Sequence, residues 1–293
     1  MQQLYDWQID TRKDILFTCS GHNEELKSFL KDDYNFESSL RLLSLRDQLK
    51  VRNVKHKRHM ALISRLFLKL ILNLVICKAT LEPDVQLWRE LEFGYSEHGK
   101  PILPSKSFVF NNSNSNEMSA VAISFNSRAI GVDLSHEEQQ SISPVDFIDQ
   151  FKDMFSDGEL SQLNAIENQE ERYIKFNQLW TLKEAFTKYL GCGLNLEISS
   201  FSFEMSSLPE VRKPGSDSSI FTYQDASWTK SDIDASEVPT SLLKDLGHDI
   251  HCYSTTLRTS DKLPVLASVI SNSPTNPIIV EIDLFQILKN EIV

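Results

Sequence analysis

"WTLKEAFTKYLG", residues 180–191, sets Lys183, Glu184 and Lys188 among Trp180, Leu182, Phe186 and Leu190 and closes on a glycine. The apolar spacing is helical and runs back through "EERYIKFNQL" at 170–179. Gly191 and Gly193 end the helix, because glycine takes the left-handed conformation without a Cβ penalty. On this helix Glu184 and Lys188 lie one turn apart on one face, with Lys183 about 100° round from Glu184. Two readings are open: an ordinary i, i+4 surface pair, or three charges that flank a cleft while Trp180 and Phe186 are buried on the other side.

Upstream, "SRAIGVDLS" (127–135) reads as a strand that delivers Asp133 at its end. Before it, "SFVFNNSNSNEMSAVAISF" (107–125) reads as a short apolar strand, a polar loop of Asn and Ser, and a second strand around 119–125. In "SPVDFIDQFKDMFSDGELSQLNAI" (143–166) a helix starts near Pro144, breaks at Ser156 to Gly158, and restarts with Ser156 and Glu159 as a capping box. Further back, a helical region over about 38–80 is halted by "FGYSEHGKPILP" (93–104), where Gly99, Pro101 and Pro104 exclude a helix. Residues 204–260 are rich in Ser, Asp and Pro and read as strands joined by long loops. "NPIIVEIDLFQIL" (276–288) reads as an edge strand or a short helix. No repeat of 20 to 50 residues is found, which excludes solenoids and propellers.

The 293 residues carry a net charge of -11, so a duplex nucleic-acid partner is not expected and an anionic ligand must meet a local positive patch. "RDQLKVRNVKHKRH" (46–59) supplies one, with Arg46 and Lys50 at its start; solvated helix charge explains it equally. Cys19, Cys77, Cys192 and Cys252 are scattered without metal-ligand spacing, as free thiols in a reducing, cytoplasmic setting would be. "MQQLYDWQIDTRKD" (1–14) does not resemble a secretory signal. "MALISRLFLKLILNLVICKA" (60–79) has the length of a membrane span, yet Arg65, Lys69 and Asn73 recur every four residues. Each central charge would cost about 3 kcal/mol in a bilayer, so a core helix with one polar stripe is expected and no membrane partner.

Asp133 and Glu184 are two carboxylates, a common minimum for Mg²⁺ that also binds a substrate phosphate. Lysines beside such a metal suit a pyrophosphate, and the "FNNSNS" segment offers hydroxyls, amides and backbone N–H groups to phosphate oxygens. An Asn and Ser turn without a ligand is the other reading of that segment.

Taken in order, "HGKP", "FNNSNS", "GVDLS", "MFSDGE" and "WTLKEAFTKYLG" resemble the signature of the Sfp-type 4′-phosphopantetheinyl transferases, including their eukaryotic aminoadipate-semialdehyde dehydrogenase-directed members. The resemblance runs from about residue 40 to about 204, and its W-x-x-KE-x-x-x-K element is the specific part. It implies an α+β fold of two pseudo-twofold-related subdomains, divided here as 1–125 and 126–293. It also implies a monomer that moves 4′-phosphopantetheine from coenzyme A to a serine of an apo carrier protein. The aminoadipate reductase of lysine biosynthesis is a leading carrier.

Carried over by position, the resemblance makes Asp133 and Glu184 Mg²⁺ ligands and, with Lys188, the catalytic set. Lys183 and Lys188 would meet the coenzyme A phosphates, as would Lys100; Tyr95 to Gly99 would line the adenine. Asn111, Asn112, Ser113 and Asn114 would join the cofactor contacts, and Arg46 or Lys50 falls near the 3′-phosphate. Ser156 and Glu159 would face the carrier. Two positions depart from the family pattern: Ser135 stands where bacterial members have a third acidic ligand, so water or Ser115 would complete the shell, and Asn114 stands for a histidine. A non-catalytic coenzyme A or carrier binder of the same fold is the alternative. An unrelated Mg²⁺-dependent nucleotide enzyme lacks any P-loop or Gly-rich fingerprint to support it.

Overall fold

Strands buried along nearly their whole length determine how the chain is layered. The computed structural model describes residues 15–80, 86–104, 107–115, 117–135, 147–205, 207, 219–224, 227–244, 246, 249–259 and 264–293. The expectations for residues 1–14 and for a helix start at Pro144 fall outside these. The described residues open with β1 (Ile15–Gly21), followed by the helices α1 (Glu24–Lys31), α2 (Asp33–Leu40), α3 (Leu45–Arg52) and α4 (Arg58–Thr80). A small hairpin, β2 (Gly94–Tyr95) and β3 (Pro101–Ile102), precedes β4 (Val109–Ser115), β5 (Met118–Ser124) and β6 (Ile130–Leu134). Then come α5 (Phe147–Phe151), α6 (Asp157–Asn164), α7 (Gln169–Leu190), β7 (Ser202–Met205), β8 (Phe221–Gln224) and β9 (Thr229–Asp234). The chain finishes with α8 (Thr240–Leu243), β10 (His251–Thr259), β11 (Pro264–Ser271), β12 (Ile278–Ile282) and α9 (Leu284–Ile292).

Two five-stranded sheets make this an α+β fold, in the orders β4-β5-β1-β12-β8 and β6-β11-β10-β9-β7. In the first, Leu16, Val121, Ile123, Val280 and Ile282 face a core shared with α4, while Phe17, Ala120, Ala122 and Ile279 face the other way. There they meet Ile130, Val132, Leu134, Val265, Ala267 and Val269 of the second sheet. The far side of the second sheet packs on α7 through Phe186, Phe203, Cys252 and Ile270. Period-two alternation thus gives each sheet one face toward its own long helix and one toward the other sheet.

The halves echo each other in helix-on-sheet packing but not in strand direction. The first sheet holds a parallel pair, β1 with β12, whereas every pair in the second is antiparallel. The junction at 125/126 lies between β5 of the first sheet and β6 of the second. β8, β12 and α9 return from the back half to the first sheet and its core. β12 is flanked by β1 and β8, so residues 278–282 form an interior strand rather than an edge, and the helix follows it rather than replacing it. The helical region expected over 38–80 is three helices, each with its own start; Ser44, for example, caps α3 by accepting from the Asp47 N–H.

The polar stripe of α4 is used inside the molecule. Lys69 Nζ donates to the Leu42 carbonyl at 2.7 Å, Asn73 Nδ2 to the carbonyls of Leu87 (3.0 Å) and Arg89 (2.9 Å), and Arg65 approaches Asp47 at 3.7 Å. By length and composition alone this helix could cross a membrane, yet 67% of its most apolar window is buried in the protein.

Candidate active site

Gly131 is the point at which the second sheet touches α7. A Cβ there would lie 1.9 Å from the Ala185 carbonyl oxygen and 2.5 Å from the Tyr189 nitrogen, so only glycine lets the strand approach the helix backbone this closely. Two residues on, Asp133 points to the same side. Its Oδ1 receives Lys188 Nζ at 2.6 Å and the Ser113 hydroxyl at 2.8 Å. The 133 strand and the 184–188 turn therefore meet across fifty residues of chain. Thr181, three residues before Glu184, bonds Ser268 at 2.7 Å, and Ser268 is the register partner of Asp133. Glu184 thus sits on the helix between two residues that both reach the Asp133 neighbourhood.

β4 joins the sheets at this point. The expected polar loop is a strand paired with β5 through Ser115, and its alternate side chains take the place of a ladder to β6. Asn111 Oδ1 accepts from the Val132 N–H at 3.0 Å, and Ser113 Oγ accepts from the Leu134 N–H at 3.3 Å. Asn111 Oδ1 is thus a structural tie between β4 and β6. Ser113 supplies a hydroxyl at the carboxylate, 3.4 Å from Lys188 Nζ as well. Ser135 is buried and continues the sheet, its hydroxyl accepting from the Leu266 N–H at 3.0 Å.

Asp133 Oδ2 is buried and has no hydrogen-bond partner. An unmatched anionic oxygen in the interior is costly, and a cation beside it is the chemistry it suits. Among the described residues no group of three or more His, Cys, Asp or Glu is placed to hold a metal. Asp133 Oδ2 offers one carboxylate oxygen to such an ion, and Mg²⁺ needs few protein ligands because it keeps several waters.

Lys183 lies elsewhere. It is 1% exposed, and its Nζ bonds Glu159 at 3.0 Å and the carbonyls of Ile198 (2.9 Å) and Phe201 (2.7 Å), with the Phe201 ring centroid 4.7 Å away. Burial pulls its pKa down and Glu159 opposes that shift. Glu159 in turn receives the backbone N–H groups of Ser156 (2.8 Å) and Phe203 (3.0 Å). The capping box at Ser156 is present as expected, but it anchors a saturated interior ion pair. Neither Lys183 at the phosphates nor Glu159 on a carrier-facing surface is compatible with that placement. The charged trio of α7 is thus divided, with Lys188 toward Asp133 and Lys183 into the core.

Lys100 is also displaced from its expected role. Its Nζ donates to the carbonyls of Ile130 (2.8 Å), Lys188 (2.6 Å) and Tyr189 (3.5 Å) rather than facing a phosphate. Burial lowers its pKa to about 8. Gly99 takes φ +82° in the turn that positions it.

A pocket of about 240 Å³ opens between α3, α4 and the small hairpin, lined by Lys50, Tyr95 and Asn112. Arg46 stands 5.5 Å over the Tyr95 ring at this place, while Asn114 is exposed at the end of β4. Arg65 and Lys69 also line the pocket, two cations that the sequence reading assigned only to a polar stripe. Their four-residue spacing on an otherwise apolar helix was the available signal.

Residues 129–237 match the profile of the 4′-phosphopantetheinyl transferase superfamily. Over that stretch the chain is similar to that superfamily. It is 28% identical over 193 residues to the L-aminoadipate-semialdehyde dehydrogenase-phosphopantetheinyl transferase of Candida glabrata, covering 64% of this chain and 69% of that one. Against the protein of the same name from Eremothecium gossypii it is 34% identical over 184 residues, 63% of this chain and 62% of the relative. The 4′-phosphopantetheinyl transferase Sfp of Bacillus subtilis strain 168 is 33% identical over 133 residues, 45% and 55% of the two chains. These matches span between about half and just over two thirds of the relatives' lengths. The profile match includes β6 and α7, the two elements that meet at Asp133 and Lys188.

Proposed function

We propose that this chain transfers the 4′-phosphopantetheine group of coenzyme A to a serine hydroxyl of an apo carrier protein. The observation that carries the reading is the 2.6 Å contact of Lys188 Nζ with Asp133 Oδ1, which ties the two most informative motifs into one site. The bond that forms joins the serine oxygen to the β-phosphorus. The bond that breaks is the pyrophosphate bridge, and adenosine 3′,5′-bisphosphate leaves. Glu184 takes the serine proton. Lys188, anchored beside Asp133 and 30% exposed, holds positive charge where the leaving side becomes more negative. Asp133 and Glu184 would hold Mg²⁺, which when bound neutralises the pyrophosphate charge. Lys50, Arg65 and Lys69 line the pocket together with Asp47 and Glu90, and Arg46 stands over its Tyr95, so the nucleotide end of coenzyme A would meet four cations against two carboxylates in a protein of net charge -11.

The names of the fungal relatives support the carrier domain of an aminoadipate reductase as the acceptor. Four buried free thiols support a reducing, cytoplasmic setting. Incubation with fluorescent coenzyme A and that apo carrier, read by gel and intact mass, tests the proposal. Label on the carrier serine is expected. Coenzyme A bound without transfer to any apo carrier would instead make the chain a binder.

A further inference from the structure

Lys100 sits in the turn of the hairpin that carries Tyr95, yet its ammonium reaches under the last turn of α7 and the first residue of β6 at once. The last four carbonyls of a helix lack intrahelical donors and carry partial negative charge, so a cation there is favourable. One of the gripped carbonyls belongs to Lys188, whose side chain runs on to Asp133. Gly191, at φ +71°, leaves the room the grip needs: a Cβ there would come within 3.3 Å of Lys100 Cδ.

We infer that Lys100 is a positioning residue: by holding the carbonyls of residues 130, 188 and 189 together, it fixes the backbone from which Lys188 reaches Asp133. It couples the wall of the nucleotide pocket to the site of phosphoryl transfer without touching the substrate. Positioning errors of about 1 Å can cost about a hundredfold in rate, so a loose Lys188 backbone lowers kcat more than it lowers coenzyme affinity. This inference rests on the transferase reading for its kinetic consequence only.

The test is Lys100→Met, alone and on a Lys188→Met background, in steady-state transfer to an apo carrier. At least a tenfold fall in kcat is expected, with KM for coenzyme A within threefold of wild type and no further loss in the double variant beyond Lys188→Met alone. Unchanged kcat, a tenfold rise in KM with kcat intact, or an additive loss in the double variant would overturn the inference. If the wild-type chain labels no carrier, the transferase reading has failed, and hydrogen exchange on the free chain decides the inference by itself. Lys100→Met should then speed exchange of the amides at 188–193 at least tenfold while leaving 172–180 unchanged; equal exchange at 188–193 refutes the grip.

Discussion

Glu184 and Lys183 are neighbours in sequence with opposite fates. Glu184→Gln keeps the shape and removes the carboxylate, so transfer should fall by at least a hundredfold with an unchanged thermal midpoint; assay and calorimetry on one preparation check both. Lys183→Met should do the reverse. It leaves Glu159 charged in the interior, and breaking a buried pair from one side costs about 3–5 kcal/mol, visible in urea denaturation, while coenzyme A affinity of the folded fraction stays at the wild-type value. Lys100 adds a pH signature. Its folded pKa of about 8 lies below the ordinary 10.5, so between those values the unfolded chain binds the extra proton and stability rises with pH. Cys192, the titratable neighbour, has its thiol pushed up by burial. Wild type should therefore gain stability relative to Lys100→Met from pH 8 to 10 in urea titrations; a constant difference would contradict this.

Strand β6 and helix α7 touch at Gly131, and the element scale turns on that contact. Gly131→Ala should destabilise by about 1–3 kcal/mol through overpacking against helix backbone that cannot rotate aside. It should also lower transfer, since pushing the helix off the strand lengthens the Lys188 to Asp133 bond; thermal denaturation and kcat on the same variant measure the two. The meeting of the GVD strand with the KE helix was legible in sequence, because each motif has a strong local pattern and a chemical reason to meet the other. The direction of Lys183 was not, since a residue 100° round a helix can point to a cleft or a core and periodicity does not distinguish them. Strand β4 was also hidden. "NNSNS" has no apolar alternation, and Asn111 and Ser113 serve a neighbouring strand's N–H groups instead of a hydrophobic face.

Across the whole molecule, the first core depends on segments from both halves. The position of β12 could not be read from its own residues, because "PIIVEI" suits an edge or an interior strand equally and only its partners decide. Val280, Ile282, Leu284, Ile287 and Leu288 all lie in the core built on α4, next to the pocket-forming helices. Deleting residues 276–293 should therefore abolish cooperative unfolding and coenzyme A binding, although none of the removed residues lines the pocket. A truncated chain with a sharp thermal transition and intact affinity would show the first sheet to be self-sufficient.

The parallel pairing of Leu16 through Cys19 with Ile278 through Glu281 has a consequence for the order of events in the cell. A ribosome must deliver the chain through residue 282 before this strand meets its parallel neighbour, so the apolar stretch from 15 to 21 stays unpaired on that side until then. Nascent chains of this protein should engage chaperones until β12 has emerged, and the front half should acquire protease resistance only after that point.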